Sequence, residues 1–309
     1  MAAKEEASTS TGLLTDKNGS LALALFVSLR PKQWTKNGLL YAGLVFALKL
    51  RQLDLLLLAT AAFVVFCALS SGIYLINDLV DAKKDYKHPV KRHRPIASGR
   101  LPRRVAVGAA VMLLGVGLPS AFLINVPFGL LALGYVALTT AYTFSLKHIV
   151  ILDIFSLAAG FVLRAVAGAV AVSVPISSWL YVCTLLAALF LGITKRRHEL
   201  VLLEADAGHF RPILDEYTPE LLQQMSAVVT SALVMAYSLY TFSAPNLPQN
   251  QAMMLTIPFV IYGVFRYLYL VHVKDAGGSP EEVLLKDKPL LADAILWGLS
   301  CVVILYAFR

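Results

Sequence analysis

Apolar runs close to 20 residues long recur along nearly the whole chain, and they decide what it can fold into. Running hydropathy places them near residues 53–77, 105–126, 128–146, 149–172, 176–194, 222–243, 252–271 and 290–308. Each is long enough for a helix to cross a hydrocarbon layer about 30 Å thick. Inside such a layer only helices and closed barrels satisfy their own backbone hydrogen bonds. A ninth, weaker run begins near Trp34 and ends near Leu48, so the expected fold is all-α and integral to the membrane, with nine transmembrane helices. Composition agrees: 58% of the 309 residues are hydrophobic and 15% charged, where soluble domains carry about 25% charged residues. The first 19 residues are polar, lack an apolar core and read as a disordered tail, not a signal peptide. Residues 20–309 read as a single multi-pass membrane domain.

Several chemistries find no support in the pattern. Cys67, Cys183 and Cys301 all fall within apolar runs, so neither a disulfide framework nor a zinc site follows. The six histidines show no paired ligand spacing, and there is no phosphate-binding glycine loop of either familiar kind. The formal net charge of +8 invites a nucleic-acid reading, but the cations are segregated. Lys83, Lys84, Lys87, Lys91, Arg92, Arg94, Arg100, Arg103 and Arg104 follow the second span. Lys195, Arg196, Arg197 and Arg211 are expected in the loop after the sixth, and Lys274, Lys286 and Lys288 after the eighth. Turns of the opposite parity, near Asn125, Ser173 to Ser178 and Pro245 to Gln251, carry no lysine or arginine. Only Lys49 and Arg51 depart from this asymmetry, which predicts a cytoplasmic N-terminus and cytoplasmic basic loops.

Topology alone gives no use for the aspartates. Asp78, Asp81 and Asp85 lie at i, i+3 and i+7 and share one helical face, with Asn77 and Asp81 at i and i+4. Like charges so placed repel unless a cation bridges them. Ligands that are oxygen alone suit Mg²⁺, which reaches proteins through one or two carboxylates and substrate phosphates. The cations of K-R-H-R-P, from Lys91, would grip a diphosphate on its other side, arginine with a forked contact and lysine with a point charge. The plainer alternative is a solvated helix end carrying surface ion pairs.

The pattern N-D-x-x-D-x-x-x-D, here Asn77, Asp78, Asp81 and Asp85, resembles the first aspartate-rich motif of the UbiA prenyltransferase superfamily. The resemblance extends over the chain after the tail. It includes R-P-K-Q-W-T-K-N (Arg30 to Asn37), K-R-H-R-P-I-A-S-G (Lys91 to Gly99), Tyr142, Lys147 and Asp153 in Y-x4-K-x5-D, and G-F-V-L-R-A-V-A-G (Gly160 to Gly168). Together these are similar to the decaprenyl-phosphate phosphoribosyltransferase branch. The resemblance implies nine helices around a central cavity open to the cytoplasm, a Mg²⁺–diphosphate site, and transfer of phosphoribose from 5-phosphoribosyl 1-diphosphate to a polyprenyl phosphate. Asn77, Asp78, Asp81 and Asp85 would hold the metal, and the three aspartates would be catalytic. A cell-membrane location and a part in making cell-wall precursors follow from the same likeness.

The chain departs from aromatic-substrate members at K-R-R-H-E-L, where a second motif, D-x-x-x-D, would be expected. Lys195 and Arg196 there suit an additional phosphate, on the ribose or on the lipid head, although Glu199, Glu204 and Asp206 keep a two-metal arrangement open. Arg164 lies mid-span, where an arginine needs a partner or water. It follows Asp153 by eleven residues, putting both on one helix face about 16 Å apart. Two readings of Arg164 stand: a cavity-wall cation on a substrate phosphate, with Gly160 and Gly168 leaving room, or an interhelical ion pair with Asp293. Asp153 would orient Lys147 or bind a sugar hydroxyl, with a purely structural role, as for Arg164, the other reading. Tyr142, Lys147, Lys36, Tyr74, Lys91 and Arg94 are expected at the cytoplasmic rim as substrate-binding groups. Interfacial anchoring is the other reading of Lys36, Tyr74, Tyr142 and Lys147.

The lipid phosphate is already anionic, so displacement at the anomeric carbon needs no strong general base. Two rivals remain: prenyl transfer from a diphosphate to an aromatic or polar acceptor, and transport of an anionic solute. Transport is disfavoured by the lack of related halves with broken helices. Lipid length and saturation are not encoded legibly, and both a monomer and a homo-oligomer stay open.

Overall fold

The computed structural model describes residues 17–203, 212–244, 247–274 and 280–307. Among these every regular element is helical. In chain order the α-helices are α1 Lys17–Ser28, α2 Ala42–Phe46, α3 Leu53–Lys87, α4 Arg103–Ile124, α5 Val126–Phe144, α6 Leu152–Ala171, α7 Ser178–Leu203, α8 Pro219–Ser243, α9 Ile257–Val273, α10 Pro280–Lys286 and α11 Lys288–Ala307. Eight helices among the described residues are long and apolar enough to span a membrane. They correspond to the eight strong runs of the sequence.

The weaker ninth run takes a different form. Pro31–Tyr41 winds as a 3₁₀ helix and passes directly into α2, a single turn of five residues. Pro31, Lys32, Gln33, Lys36 and Asn37 make the start of this segment polar, and 3₁₀ stretches of such length are uncommon. The expected ninth span is not among the eight long apolar helices of the described residues. Residues 1–16 of the expected tail lie outside the described residues, as do Glu204, Asp206 and Arg211; helix begins at Lys17.

The chain divides into two compact units. The first comprises Met1–Pro31 and Ala68–Gly115. Its core is formed by Ala24 of α1, Leu75 and Ala82 of α3, Ile96 and Leu101 of the connecting loop, and Ala106 and Ala110 of α4. α3 has 35 residues, about 52 Å of helix, while its apolar run ends at Ile76. The polar turns carrying the aspartates therefore continue the same rigid rod past the apolar stretch. A rigid element of this kind fixes the carboxylates in register, which a loop would not.

The second unit comprises Lys32–Cys67 and Val116–Arg309. Ile154, Ala158, Ala188, Leu189, Ile193, Ile213, Tyr217 and Leu222 make one core where α6, α7 and α8 meet. Tyr237, Tyr240, Met253, Cys301, Ile304 and Leu305 make another. Arg266 of α9 grips both carboxylate oxygens of Asp287 at 3.1 and 2.8 Å. That contact ties α9 to the start of α11 and holds the Asp287 carboxyl below its ordinary range.

Small residues let the Pro31–Phe46 segment lie directly on α6. A Cβ on Gly168 would stand 2.1 Å from the Leu40 carbonyl oxygen, and one on Gly43 would stand 2.8 Å from Ala169 Cα. Close backbone approach through small residues is how helices associate where lipid removes the hydrophobic drive. Gly168→Ala must therefore push the segment off α6. It should cost about 1–3 kcal/mol, as overpacking generally does, and chemical unfolding of detergent-solubilised protein would register the loss.

Candidate active site

The acidic cluster belongs to the first unit. Asp78 and Asp85 are buried, at 3% and 5% exposure, and both are held by arginine. Arg94 Nη1 lies 3.0 Å from Asp78 Oδ1 and 2.6 Å from Asp85 Oδ2, so one cationic nitrogen bridges two carboxylates a double turn apart. Arg30 Nη2 takes the same Asp78 oxygen at 2.5 Å. Asp81 lies between them on the same face and is half-buried.

Local sequence explains how both arginines reach α3. The Leu29 carbonyl, one of the acceptors a helix end leaves unpaired, receives the Ser71 hydroxyl at 3.0 Å. Arg30 follows in the left-handed region, at φ 56°, which turns the chain sharply, and its guanidinium carbon stands 5.1 Å from the Tyr74 ring centroid. Arg94 comes from the K-R-H-R-P-I-A-S-G stretch. Ile96 and Leu101 bury themselves in the unit's core. Gly99 adopts φ 79°, a conformation glycine reaches without strain. Backbone amides of Ser98 and Leu101 close back on Arg94 and Pro95 at 2.8 and 2.9 Å. Buried His88 accepts the Val90 and Lys91 amides on Nδ1, which holds the start of the loop.

The donor set fits a hard divalent cation. It consists of oxygens alone, on one helix face, and Asp78 and Asp85 already converge on a single positive atom, Arg94 Nη1. Among the described residues no three histidine, cysteine, aspartate or glutamate side chains stand in a ready-made metal cluster. The place between the two carboxylates is taken by the guanidinium.

A second ionic cluster lies in the second unit. Asp153, fully buried at the start of α6, takes Arg196 Nε on one oxygen and the Tyr217 hydroxyl at 2.7 Å on the other. Arg196 is itself fully buried. Its other nitrogens bond Glu199 at 2.6 Å and the Tyr142 hydroxyl at 3.0 Å. The Tyr217 oxygen also accepts the Ile151 amide at 2.7 Å, steadying a β-branched residue at φ 68°, where such residues are rarely found. Burial, reinforced by Asp153, raises the Tyr217 hydroxyl above its ordinary range, so it stays protonated and donates. Lys195 lies within electrostatic reach of Glu199, Tyr142, Arg196 and Lys36. Lys36 also bonds Gln33, and half-buried Lys147 follows in the short helix Leu146–His148.

The cations expected in a loop after the sixth span are instead helical. α7 runs on to Leu203 through Lys195, Arg196 and Arg197, because buried counter-charges meet Arg196 and the Val271 carbonyl meets Arg197 at 2.9 Å. Arg164 is held by three uncharged groups: Asn37 Oδ1 at 2.8 Å, the Gly160 carbonyl at 2.8 Å and the Tyr135 hydroxyl at 2.7 Å. The Tyr135 and Phe161 rings add cation–π contact, at 4.7 and 5.6 Å. Asp293, the candidate ion-pair partner, packs against Gly263. The room that Gly168 leaves is filled by the Leu40 backbone.

The structure thus joins Asp78, Asp85 and Arg94 in one unit, and Lys36, Tyr142, Asp153, Lys195 and Arg196 in the other. Sequence reasoning missed Arg30, Tyr135 and Tyr217 as members of these networks. Arg30 and Asn37 stand in the R-P-K-Q-W-T-K-N stretch, which was signal enough to suspect them; Tyr217 carries none.

The UbiA prenyltransferase family matches residues 38–282. A decaprenyl-phosphate phosphoribosyltransferase of Corynebacterium glutamicum is 37% identical over 297 residues, which cover 93% of this chain and 88% of the relative. The enzyme of the same name from Mycobacterium tuberculosis is 33% identical over 93% of this chain and 96% of its own. Among solved structures, a UbiA homolog from Archaeoglobus fulgidus bound to GPP and Mg²⁺ superposes with a TM-score of 0.69 at 19% identity, covering 91% of this chain and 99% of that one.

Proposed function

This chain belongs to the UbiA prenyltransferase family, and we propose that it is a Mg²⁺-dependent phosphoribosyltransferase. It moves 5-phosphoribose from 5-phosphoribosyl 1-diphosphate to a polyprenyl phosphate such as decaprenyl phosphate and releases pyrophosphate. The observation that carries this reading is the near full-length likeness to two enzymes of that name. The buried Arg196 and neighbouring Lys195, at the place where the resemblance implies carboxylates in aromatic-substrate members, support it.

In the reaction a phosphate oxygen of the lipid bonds to the anomeric carbon as the bond from that carbon to the diphosphate breaks. Electrons leave with pyrophosphate, the ribose passes through oxocarbenium character, and no proton need be removed from the nucleophile. Arg94, Lys91 and Arg30 bind the donor's diphosphate from the basic side, with Tyr74 packed under Arg30. Asn77, Asp78, Asp81 and Asp85 would hold the Mg²⁺, which would supply fixed positive charge where negative charge develops. In the second unit, Lys195 and Lys36 offer point charges to phosphate, with Tyr142 within reach of Lys195, and Lys147 is assigned the same role. Asp153, Arg196 and Tyr217 keep those cations in place, and Arg164 fixes Asn37 and the Pro31–Phe46 segment.

The proposed location is the cell membrane, with the aspartates on the cytoplasmic side, where the basic segments after the second, sixth and eighth spans would lie. A cytosolic sugar diphosphate can reach the site there while the polyprenyl chain stays in lipid. Purified protein given Mg²⁺, radiolabelled phosphoribosyl diphosphate and decaprenyl phosphate should yield labelled lipid. Label passing only from a prenyl diphosphate to an aromatic acceptor would replace this reading with prenyl transfer. Solute uptake into liposomes without chemistry would replace it with transport.

A further inference from the structure

Two arginines occupy the carboxylates that the reaction requires for a metal. Arg30 and Arg94 both reach Asp78 Oδ1, at 2.5 and 3.0 Å, and Arg94 extends to Asp85 at 2.6 Å. These two arginines meet two carboxylates beside half-buried Asp81, with both paired carboxylates buried and the arginines about a quarter exposed, at 24% and 28%. A divalent cation arriving alone must displace guanidinium from buried oxygen and strand it. Diphosphate arriving alone must draw guanidinium off buried carboxylates and leave those unpaired. Either step costs, because an unpaired buried charge is expensive. When both arrive, each arginine exchanges a carboxylate for a phosphate, the anions for which its fork is suited, and the carboxylates turn to the metal.

We propose that Arg30, together with Arg94, makes metal and diphosphate binding mutually dependent. The arginines hold the acidic cluster closed to either ligand alone and open it to the pair. Arg30 has two parts in this scheme: it binds the diphosphate directly and positions a ligand of the metal. It acts on the metal through Asp78, and Tyr74 and its left-handed backbone keep it aimed there. The inference rests on the reading of the aspartates as metal ligands.

Removing Arg30 should therefore shift two affinities in opposite directions. In Arg30→Gln, Mn²⁺ without diphosphate should bind about tenfold tighter than in wild type, measured by electron paramagnetic resonance of free Mn²⁺ at neutral pH. Pyrophosphate in the presence of chelator should bind about tenfold weaker, by equilibrium dialysis; both shifts are of the size that coupling between sites usually takes. A variant that had merely lost structure would weaken both. Arg30→Lys keeps the charge without the fork and should show the same opposite pair of shifts, tighter Mn²⁺ and weaker pyrophosphate, at about threefold each, so it carries the test if Arg30→Gln does not fold. Unchanged or weaker Mn²⁺ binding in folded Arg30→Gln, or in Arg30→Lys when the former is unavailable as folded protein, overturns the proposal. Opposite shifts in a protein that transfers no phosphoribose would uphold the arginine coupling and overturn only the substrate assignment. Normal transfer without opposite shifts would do the reverse.

Discussion

Asp81→Asn is expected to make phosphoribosylated lipid at a rate on the order of 10³-fold below wild type, with the protein still inserted and folded. The substitution preserves shape and removes one negative charge from the face that carries Asp78 and Asp85. A metal acting on a leaving group supplies several kcal/mol of charge stabilisation, and about 4 kcal/mol corresponds to that factor in rate. Asp78 and Asp85 would be poorer choices, because their loss would also strand Arg30 and Arg94 and mix two effects. Chelation of wild type should reach the same floor, and chelator added to Asp81→Asn should lower the rate little further. Groups that act as one unit lose their effect once. If the aspartates were only a solvated helix end with surface ion pairs, worth about 0–1 kcal/mol, the variant would lose less than tenfold and chelation would add nothing in particular. Initial rates of label transfer to lipid, with and without chelator, separate the two outcomes.

The parts of this fold that were legible are those that one-dimensional hydropathy can carry. The eight strong runs became eight helices because each must satisfy its backbone internally. The three aspartates share a face because α3 continues unbroken past Ile76. Legibility failed where a charge is cancelled by a distant one. Arg196 ended the sixth apolar run in sequence, yet α7 continues through it because Asp153, 43 positions away, supplies the opposite charge. Arg30 gave no pattern that pointed 48 positions ahead to Asp78, since its aim depends on a left-handed turn at the end of α1. The form of residues 34–48 was not legible either: packing on Gly168 and a hydrogen bond from Arg164 to Asn37 accompany a 3₁₀ stretch to Tyr41 followed by one α-helical turn, Ala42–Phe46, against α6.

The Asp153–Arg196 pair gives the largest expected effect on stability. Asp153→Asn leaves Arg196 fully buried with its charge partly unmatched, and breaking one side of a buried pair costs about 3–5 kcal/mol. For a chain of this size that corresponds to a fall in Tm on the order of 10 °C. Tyr217 can still donate to the remaining amide oxygen, so the loss should reflect the ion pair and not the tyrosine bond. Adding Arg196→Met removes the unmatched charge and substitutes a side chain of similar reach. The double variant should recover about 2 kcal/mol relative to the sum of the single losses, as residues in one network do. Glu199 would lose its bond to Arg196 in that variant, but it keeps Lys195 within electrostatic reach and, at 17% side-chain exposure, some access to solvent. The alternative role for Asp153, orienting Lys147 or a sugar hydroxyl, predicts a different split: activity lost at unchanged Tm, and no recovery in the double variant. Thermal unfolding in detergent alongside transfer kinetics measures both. A Tm for Asp153→Asn within a degree or two of wild type would remove the pair from the fold's supports and return Asp153 to the substrate.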